Sequence, residues 1–194
     1  MKKKIAVTGG IGSGKSSVLA CLKNMGYPIF SCDDIYREVI DSPQYIEEIT
    51  KFFPACVEHG KINRKKLADA VFNDKEKLSI LNGIAHPLII DRLLTNMEQC
   101  SEEVIFAEVP LLFEGNYENL FDRVIVVVRN KETRIQAIMH RDSISVGEAN
   151  ARIAAQFDYD NPKNQERLKN QNVIFIQNNG DFSHLENQVK NLNF

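Results

Sequence analysis

The chain has little of what would narrow its class at once. Only four of its 194 residues are cysteine, at positions 21, 32, 56 and 100, with no C-x-x-C pair and no histidine at metal-ligand spacing. That pattern speaks against structural zinc, and the scattered thiols read as reduced. No apolar run approaches the roughly 20 residues needed to span a bilayer. The basic opening Met1-Lys2-Lys3-Lys4 is followed by only Ile5-Ala6-Val7 before Thr8, too short an apolar stretch for an export signal. A cytoplasmic location is expected. Neither sign of charge dominates, and a formal net charge of −2 gives no general pull toward nucleic acid or an anionic membrane. Internal repeats and low-complexity tracts are missing as well. What is left, 43% hydrophobic and 26% charged residues, suits one globular domain with a sizeable core.

Against that background one segment stands out. Gly9-Gly10-Ile11-Gly12-Ser13-Gly14-Lys15-Ser16 completes the pattern G-x-x-x-x-G-K-S. A loop nearly free of side chains lets backbone N–H groups and a helix N-terminus converge on a triphosphate. Lys15 then reaches the β- and γ-phosphates, and the Ser16 hydroxyl takes one corner of a Mg²⁺ octahedron. An ordinary glycine-rich turn would need no particular flanks. Here Ile5-Ala6-Val7 precedes the loop as a buried strand, and Val18, Leu19, Leu22 and Met25 follow on one helical face.

The wider pattern is α/β. Lys4–Thr8, Pro28–Ser31, Val104–Glu108, Arg123–Val128 and Val173–Gln177 read as five buried parallel strands, because their apolar runs are continuous and their connections are long. A three-layer α/β/α sheet fold is expected. The stretch from Cys32 to about Ser101 is too long for one crossover and carries several helical patterns, so it reads as an inserted lobe. Its longest helix is expected to be interrupted at Pro87, as a kink or a break. Lys131–Arg141 and Ser145–Phe157 predict a helical hairpin, the second helix opening on the capping box Ser145-Val146-Gly147-Glu148. Phe182, Leu185, Val189 and Leu192 predict a last helix packed on the sheet.

Several residues then become chemical candidates. Asp33 and Asp34 follow the second strand at its carboxyl end, where open α/β sheets bind ligands; one could orient or accept a hydroxyl proton, and either could equally be the N-cap of the next helix. Glu108 ends the third strand, where a carboxylate can hold Mg²⁺ directly or through water, or simply face solvent. Arg129, Lys131, Arg134, His140, Arg141 and Arg152 gather around the hairpin, either as a solvated face or as a mobile lid that brings guanidinium groups onto phosphates. Arg141 and Arg152 are the leading lid candidates. His86-Pro87, taken alone, reads as a satisfied turn residue.

With these positions assembled, the chain resembles the dephospho-coenzyme A kinase family nearly end to end. The resemblance is carried by Thr8 to Ser16, Asp33 and the helix after it, Ile62-Asn63-Arg64 followed by Leu67, and Leu81-Asn82 leading to His86-Pro87-Leu88-Ile89. It continues through Val109-Pro110-Leu111-Leu112-Phe113-Glu114, Arg141-Asp142, Arg152-Ile153-Ala154-Ala155-Gln156 and Asn178-Asn179-Gly180. It implies transfer of the ATP γ-phosphoryl group, with Mg²⁺, to the ribose 3′-hydroxyl of dephospho-coenzyme A. It also implies a phosphate-loop core at about 1–32, 101–130 and 166–194, an acceptor-binding helical lobe at about 33–100 and a lid at about 131–165. By the same resemblance Lys15, Asp33 and Arg141 are catalytic, and Gly10, Ile11, Gly12, Ser13, Gly14, Lys15, Ser16, Ser17, Arg141, Asn178 and Gly180 contact ATP. Thr8, Asp33, Arg64, His86, Glu108 and Glu114 fall on the acceptor side, and Ser16 and Glu108 on the metal. One departure is visible: the family commonly has Asp-Ala-Asp where this chain has Ser31-Cys32-Asp33, which leaves the proton-handling role to Asp33.

Two alternatives share parts of this pattern. A nucleoside or nucleotide monophosphate kinase has the same core, lobe and lid, but the His86-Pro87 and Val109 to Glu114 segments belong to the coenzyme A enzymes. A GTP-dependent switch would need N-K-x-D for guanine, and Asn130-Lys131-Glu132-Thr133 has threonine in place of the aspartate.

Overall fold

The structure, a computed structural model, describes residues 2–159, 161–169 and 172–194. Residue 160 of the expected lid and residues 170 and 171 of the expected core lie outside the described residues, as does Met1. The chain runs β1 (Lys3–Thr8), α1 (Lys15–Asn24), β2 (Ile29–Ser31), α2 (Cys32–Val39), α3 (Pro43–Phe52), β3 (Val57–Glu58), β4 (Lys61–Ile62), α4 (Arg64–Val71) and α5 (Lys75–Gln99). It continues with β5 (Val104–Glu108), β6 (Arg123–Val128), α6 (Lys131–Asp142), α7 (Val146–Ala154), α8 (Pro162–Lys169), β7 (Val173–Gln177) and α9 (Phe182–Lys190). Two compact units result, Met1–Phe30 with Cys100–Phe194, and Ser31–Gln99. Among the described residues no helix is long and apolar enough to cross a membrane.

The first unit is built on a five-stranded sheet in the order β2-β5-β1-β6-β7. Its strands run parallel where β5 meets β1, β1 meets β6 and β6 meets β7. Alternation explains the unbroken apolar runs. Ile5, Val7, Phe106, Ile125, Val127 and Ile176 share one buried cluster with Val18, Leu19 and Leu22 of α1 and Leu185 and Val189 of α9. The intervening Ala6, Ile105, Ala107, Val124 and Val126 are buried too, so both faces are covered and no polar residue interrupts the strands. Each fully buried side chain of this size contributes roughly 1.5–3 kcal/mol. Met25 and Phe182, expected on buried faces, are exposed, because they sit at the C-cap of α1 and the first position of α9.

The second unit is helical around α5. Ala85, Ile89, Ile90, Leu93 and Met97 are its buried stripe, packed against α2, α3 and α4. Pro87 does not break this helix, which runs continuously from Lys75 to Gln99. A mid-helix proline removes one hydrogen bond and crowds the carbonyl four residues back, at a cost of about 3 kcal/mol, and burial of Ile89, Ile90, Leu93 and Met97 in the turns that follow offsets it. His86 is consequently a half-buried mid-helix residue and not a turn residue.

The N-cap reading of the paired aspartates is also corrected. The cap of α2 is Ser31, whose Oγ accepts from the Asp33 amide at 3.2 Å, while Asp33 and Asp34 occupy the first turn. Carboxylates there face the positive end of the helix dipole. We therefore expect Ser31→Ala to lower stability by about 1 kcal/mol and Ser31→Asp, which also caps, to leave it nearly unchanged, as read by urea unfolding.

Candidate active site

The glycine loop bridges β1 and α1, and glycine is needed there for steric reasons that the surroundings define. Gly14 caps α1 with φ +92°, and a Cβ on it would lie 2.0 Å from Asn178 Nδ2. That amide nitrogen donates to the Ser13 carbonyl at 2.8 Å, so the loop and the end of β7 are locked together at a point with no room for a side chain. Gly9 carries φ +146°, and a Cβ there would meet the Val127 carbonyl oxygen at 2.3 Å. The loop is thus pressed onto β6 at one end and onto Asn178 at the other.

Polar contacts fix the rest of the loop. Lys15 Nζ donates to the Gly9 carbonyl at 2.9 Å and reaches the Gly10 carbonyl at 3.5 Å. The Ile11 N–H donates to Gln156 Oε1 at 2.6 Å, and the Ile11 carbonyl accepts from Arg134 Nε at 2.9 Å. Ser17 N donates to the Gly14 carbonyl, starting α1, and Ser16 is exposed in its first turn.

Strand register brings the neighbouring candidates to the same edge. Glu108, the last residue of β5 and partly buried, pairs with Val7, one residue before Thr8. Thr8 is buried, with its hydroxyl 3.4 Å from the Tyr159 hydroxyl. Burial raises the Tyr159 phenol to about 12, so it is neutral at any ordinary pH and able to donate. Glu114 accepts from the Phe157 amide at 2.8 Å, and Phe113 stacks on the Phe157 ring at 4.8 Å, which pins the segment after α7. A cavity of about 420 Å³ opens here, lined by Arg129, Arg134, Gln156 and Tyr159 among others. A neighbouring one of about 310 Å³ is lined by Arg129, Lys131, Gln177 and Asn179.

The arginines divide differently from the sequence ranking. Arg141 and Arg152 share one carboxylate: Arg141 donates to Asp142 through Nε at 2.7 Å and Nη2 at 2.9 Å, and Arg152 through Nη1 at 2.5 Å. The Arg141 hydrogen bonds, foremost, hold the Asp142 carboxyl below its ordinary range. Arg134 hydrogen-bonds the loop directly. The available signal was Ile138, one turn along the same face and the buried residue of α6. Gln156 and Tyr159 carried no expected role, since a glutamine past a helix end and a tyrosine in a polar segment have no periodic context.

Of the remaining candidates, Asn178 is buried with its amide committed to Ser13, Asn179 Oδ1 accepts from the Asn130 amide at 2.8 Å, and Gly180 is exposed. Asp33, Arg64 and His86 belong to the helical unit. Asp33 is exposed in the first turn of α2, Asp34 pairs with Arg37 at 2.6 Å, and the exposed Arg64 reaches Asp41 at 3.4 Å. Asn130-Lys131-Glu132-Thr133, the near miss to a guanine motif, forms the cap and first turn of α6.

Gly14→Ala would need left-handed backbone and would drive a methyl into Asn178, a combination costing about 1–3 kcal/mol. The expected result is a lower unfolding midpoint together with loss of ATP binding, read by titration calorimetry.

The dephospho-CoA kinase family matches residues 3–184. A dephospho-CoA kinase from Fusobacterium nucleatum is 36% identical over 188 residues, covering 96% of this chain and 94% of its own length. One from Listeria innocua is 35% identical, covering 97% and 94%. Among solved structures, a Thermus thermophilus protein superimposes with a TM-score of 0.77 at 32% identity, over 97% of this chain and 95% of its own. A dephospho-CoA kinase from Campylobacter jejuni does so with a TM-score of 0.62 at 29% identity, over 97% and 94%. The three-layer α/β/α sheet, the phosphate loop at its edge and these matches along nearly the whole length agree: the chain belongs to the dephospho-CoA kinase family, enzymes that phosphorylate dephospho-CoA with ATP.

Proposed function

We propose that this chain carries out its family's phosphoryl transfer with the braced loop at 9–16 as donor site and Asp33 as the group that orients the acceptor. The observation that supports this most is the loop itself, whose Ile11, Ser13 and Gly14 are already held by Arg134, Gln156 and Asn178. A loop whose peptide planes are held from outside meets polyphosphate with little left to reorganise beyond the release of Lys15 from its two carbonyls.

In this reading Gly10, Ile11, Gly12, Ser13, Gly14, Ser16 and Ser17 surround the phosphates of ATP. Lys15 exchanges its carbonyl partners for phosphate oxygens. The ribose 3′-oxygen of dephospho-coenzyme A attacks the γ-phosphorus, the bond to the β–γ bridging oxygen breaks, and Asp33 takes the hydroxyl proton. Charge then gathers on the transferring oxygens, where Lys15 and Arg141 meet it. Ser16 and Glu108 offer the hard oxygen donors that suit Mg²⁺, one at the start of α1 and the other at the end of β5, the strand paired with β1. Bound there, the ion would neutralise phosphate charge. Thr8, Arg64, His86 and Glu114 serve the acceptor side, Gly180 with Asn178 the nucleotide side, and residues of about 131–165 act as the lid over a core of about 1–32, 101–130 and 166–194, with the lobe at about 33–100 receiving the acceptor.

A coupled assay of ADP release tests the substrate. Turnover is expected with dephospho-coenzyme A, and preferential turnover of a nucleoside monophosphate overturns the reading. Lys15→Ala should lower turnover by at least about a hundredfold. Asp33→Asn should keep ATP affinity while slowing transfer by about a hundredfold or more; lost ATP affinity with an intact chemical step would remove Asp33 from its role.

A further inference from the structure

Two successive peptide units of the glycine loop are held from outside by two side chains. The Gly10–Ile11 unit is held through the Ile11 N–H on Gln156 Oε1, and the Ile11–Gly12 unit through the Ile11 carbonyl under Arg134 Nε. Glycines flank Ile11 on both sides, and a peptide plane next to glycine rotates at little cost because both backbone signs are open to it. The loop sequence therefore leaves these planes free, and something else must set them.

Arg134 meets the loop in three ways. Its Nε bonds Ile11, its guanidinium lies where a Cβ of Gly10 would be 2.2 Å from Nη2, and its own carbonyl oxygen would be 2.8 Å from a Cβ of Gly12. The Ile138 side chain, one turn along α6, would be 3.1 Å from that same Cβ. Helix α6 is itself tied down at its start, where Asn179 accepts from the Asn130 amide.

We propose that Arg134 is a positioning residue which, together with Gln156, sets the Ile11 peptide planes and so aims the neighbouring loop amides at ATP, making nucleotide affinity depend on where α6 and the end of α7 sit. The inference rests on ATP being the donor at this loop. Arg134 acts through Ile11, and the two side chains form one clamp: once either is gone, the loop is free to rotate and the other has little left to hold.

The test measures ATP affinity by calorimetry, and steady-state constants for both substrates, on the full chain with Arg134→Ala, Gln156→Ala, the double variant and Arg134→Lys. Each alanine variant should raise the ATP Kd and KM by about tenfold, the size of one lost hydrogen bond, while the acceptor KM stays put. The double variant should be no more than about twice as weak as the weaker single one, because both act on one loop. Arg134→Lys, which retains a donor, should recover part of the affinity, and the unfolding midpoint should move little. ATP affinity within twofold of the parent in Arg134→Ala overturns the proposal. So does full additivity of the two losses, or a loss that only tracks a fallen unfolding midpoint. If the parent chain does not turn over ATP with dephospho-coenzyme A, the substrate reading fails; if it does and the variants bind ATP normally, only the clamp fails.

Discussion

Everything at the site depends on β1 lying between β5 and β6. Parallel pairing slants the hydrogen bonds but keeps the carboxyl ends of the strands together, and the register here matches Val7 with Glu108 and Thr8 with Val126. Pairing of β6 with β7 then matches Val128 with Gln177 and brings Asn178 within reach of Ser13. A loop, a carboxylate, a cluster of arginines and an asparagine, spread over more than 160 residues of sequence, are thus gathered by backbone geometry. Open parallel sheets bind ligands at this edge for the same reason.

The second constraint is the looseness of glycine. The loop must be nearly bare for phosphate to approach its amides, and a bare loop does not hold its own shape. The fold resolves this by bringing neighbours against it: Val127 under Gly9, α6 against Gly10 and Gly12, Asn178 against Gly14. Gly9, Gly12 and Gly14 are then required twice, by a positive φ and by the atom that occupies the place of the missing side chain, whereas Gly10 makes room for the Arg134 guanidinium. A stable scaffold supplies the order that the binding segment lacks.

Most of the sheet was legible in the sequence because a strand buried on both faces reads as an unbroken apolar run, and five such runs were found within a residue of the observed strands. The glycine loop was legible for the opposite reason, being composed of residues that few other structures need together. What escaped had no periodic signal. β3 and β4 are two residues each, joined by His59 and Gly60 at positive φ, too short for any alternation to register. α8 is polar along most of its length. The continuity of α5 through Pro87 was not legible because a local rule about proline was outweighed by burial of the helix face that follows it, a tertiary fact. Ser31 as a cap and Gln156 escaped, and Arg134 stood only as one of six basic hairpin residues, because a hydrogen bond between residues distant in sequence, or a choice among three nearby caps, leaves no mark in composition.

The carboxylate shared by Arg141 and Arg152 has a consequence of its own. In a simple ion pair, withdrawing the cation leaves its partner to solvent alone, at a modest cost where the groups are this exposed. Asp142 has two counter-ions, one within its own helix and one from α7. Either guanidinium can depart toward another anion while the other keeps the carboxylate neutralised. The hairpin is therefore fastened in a way that survives the loss of one fastening.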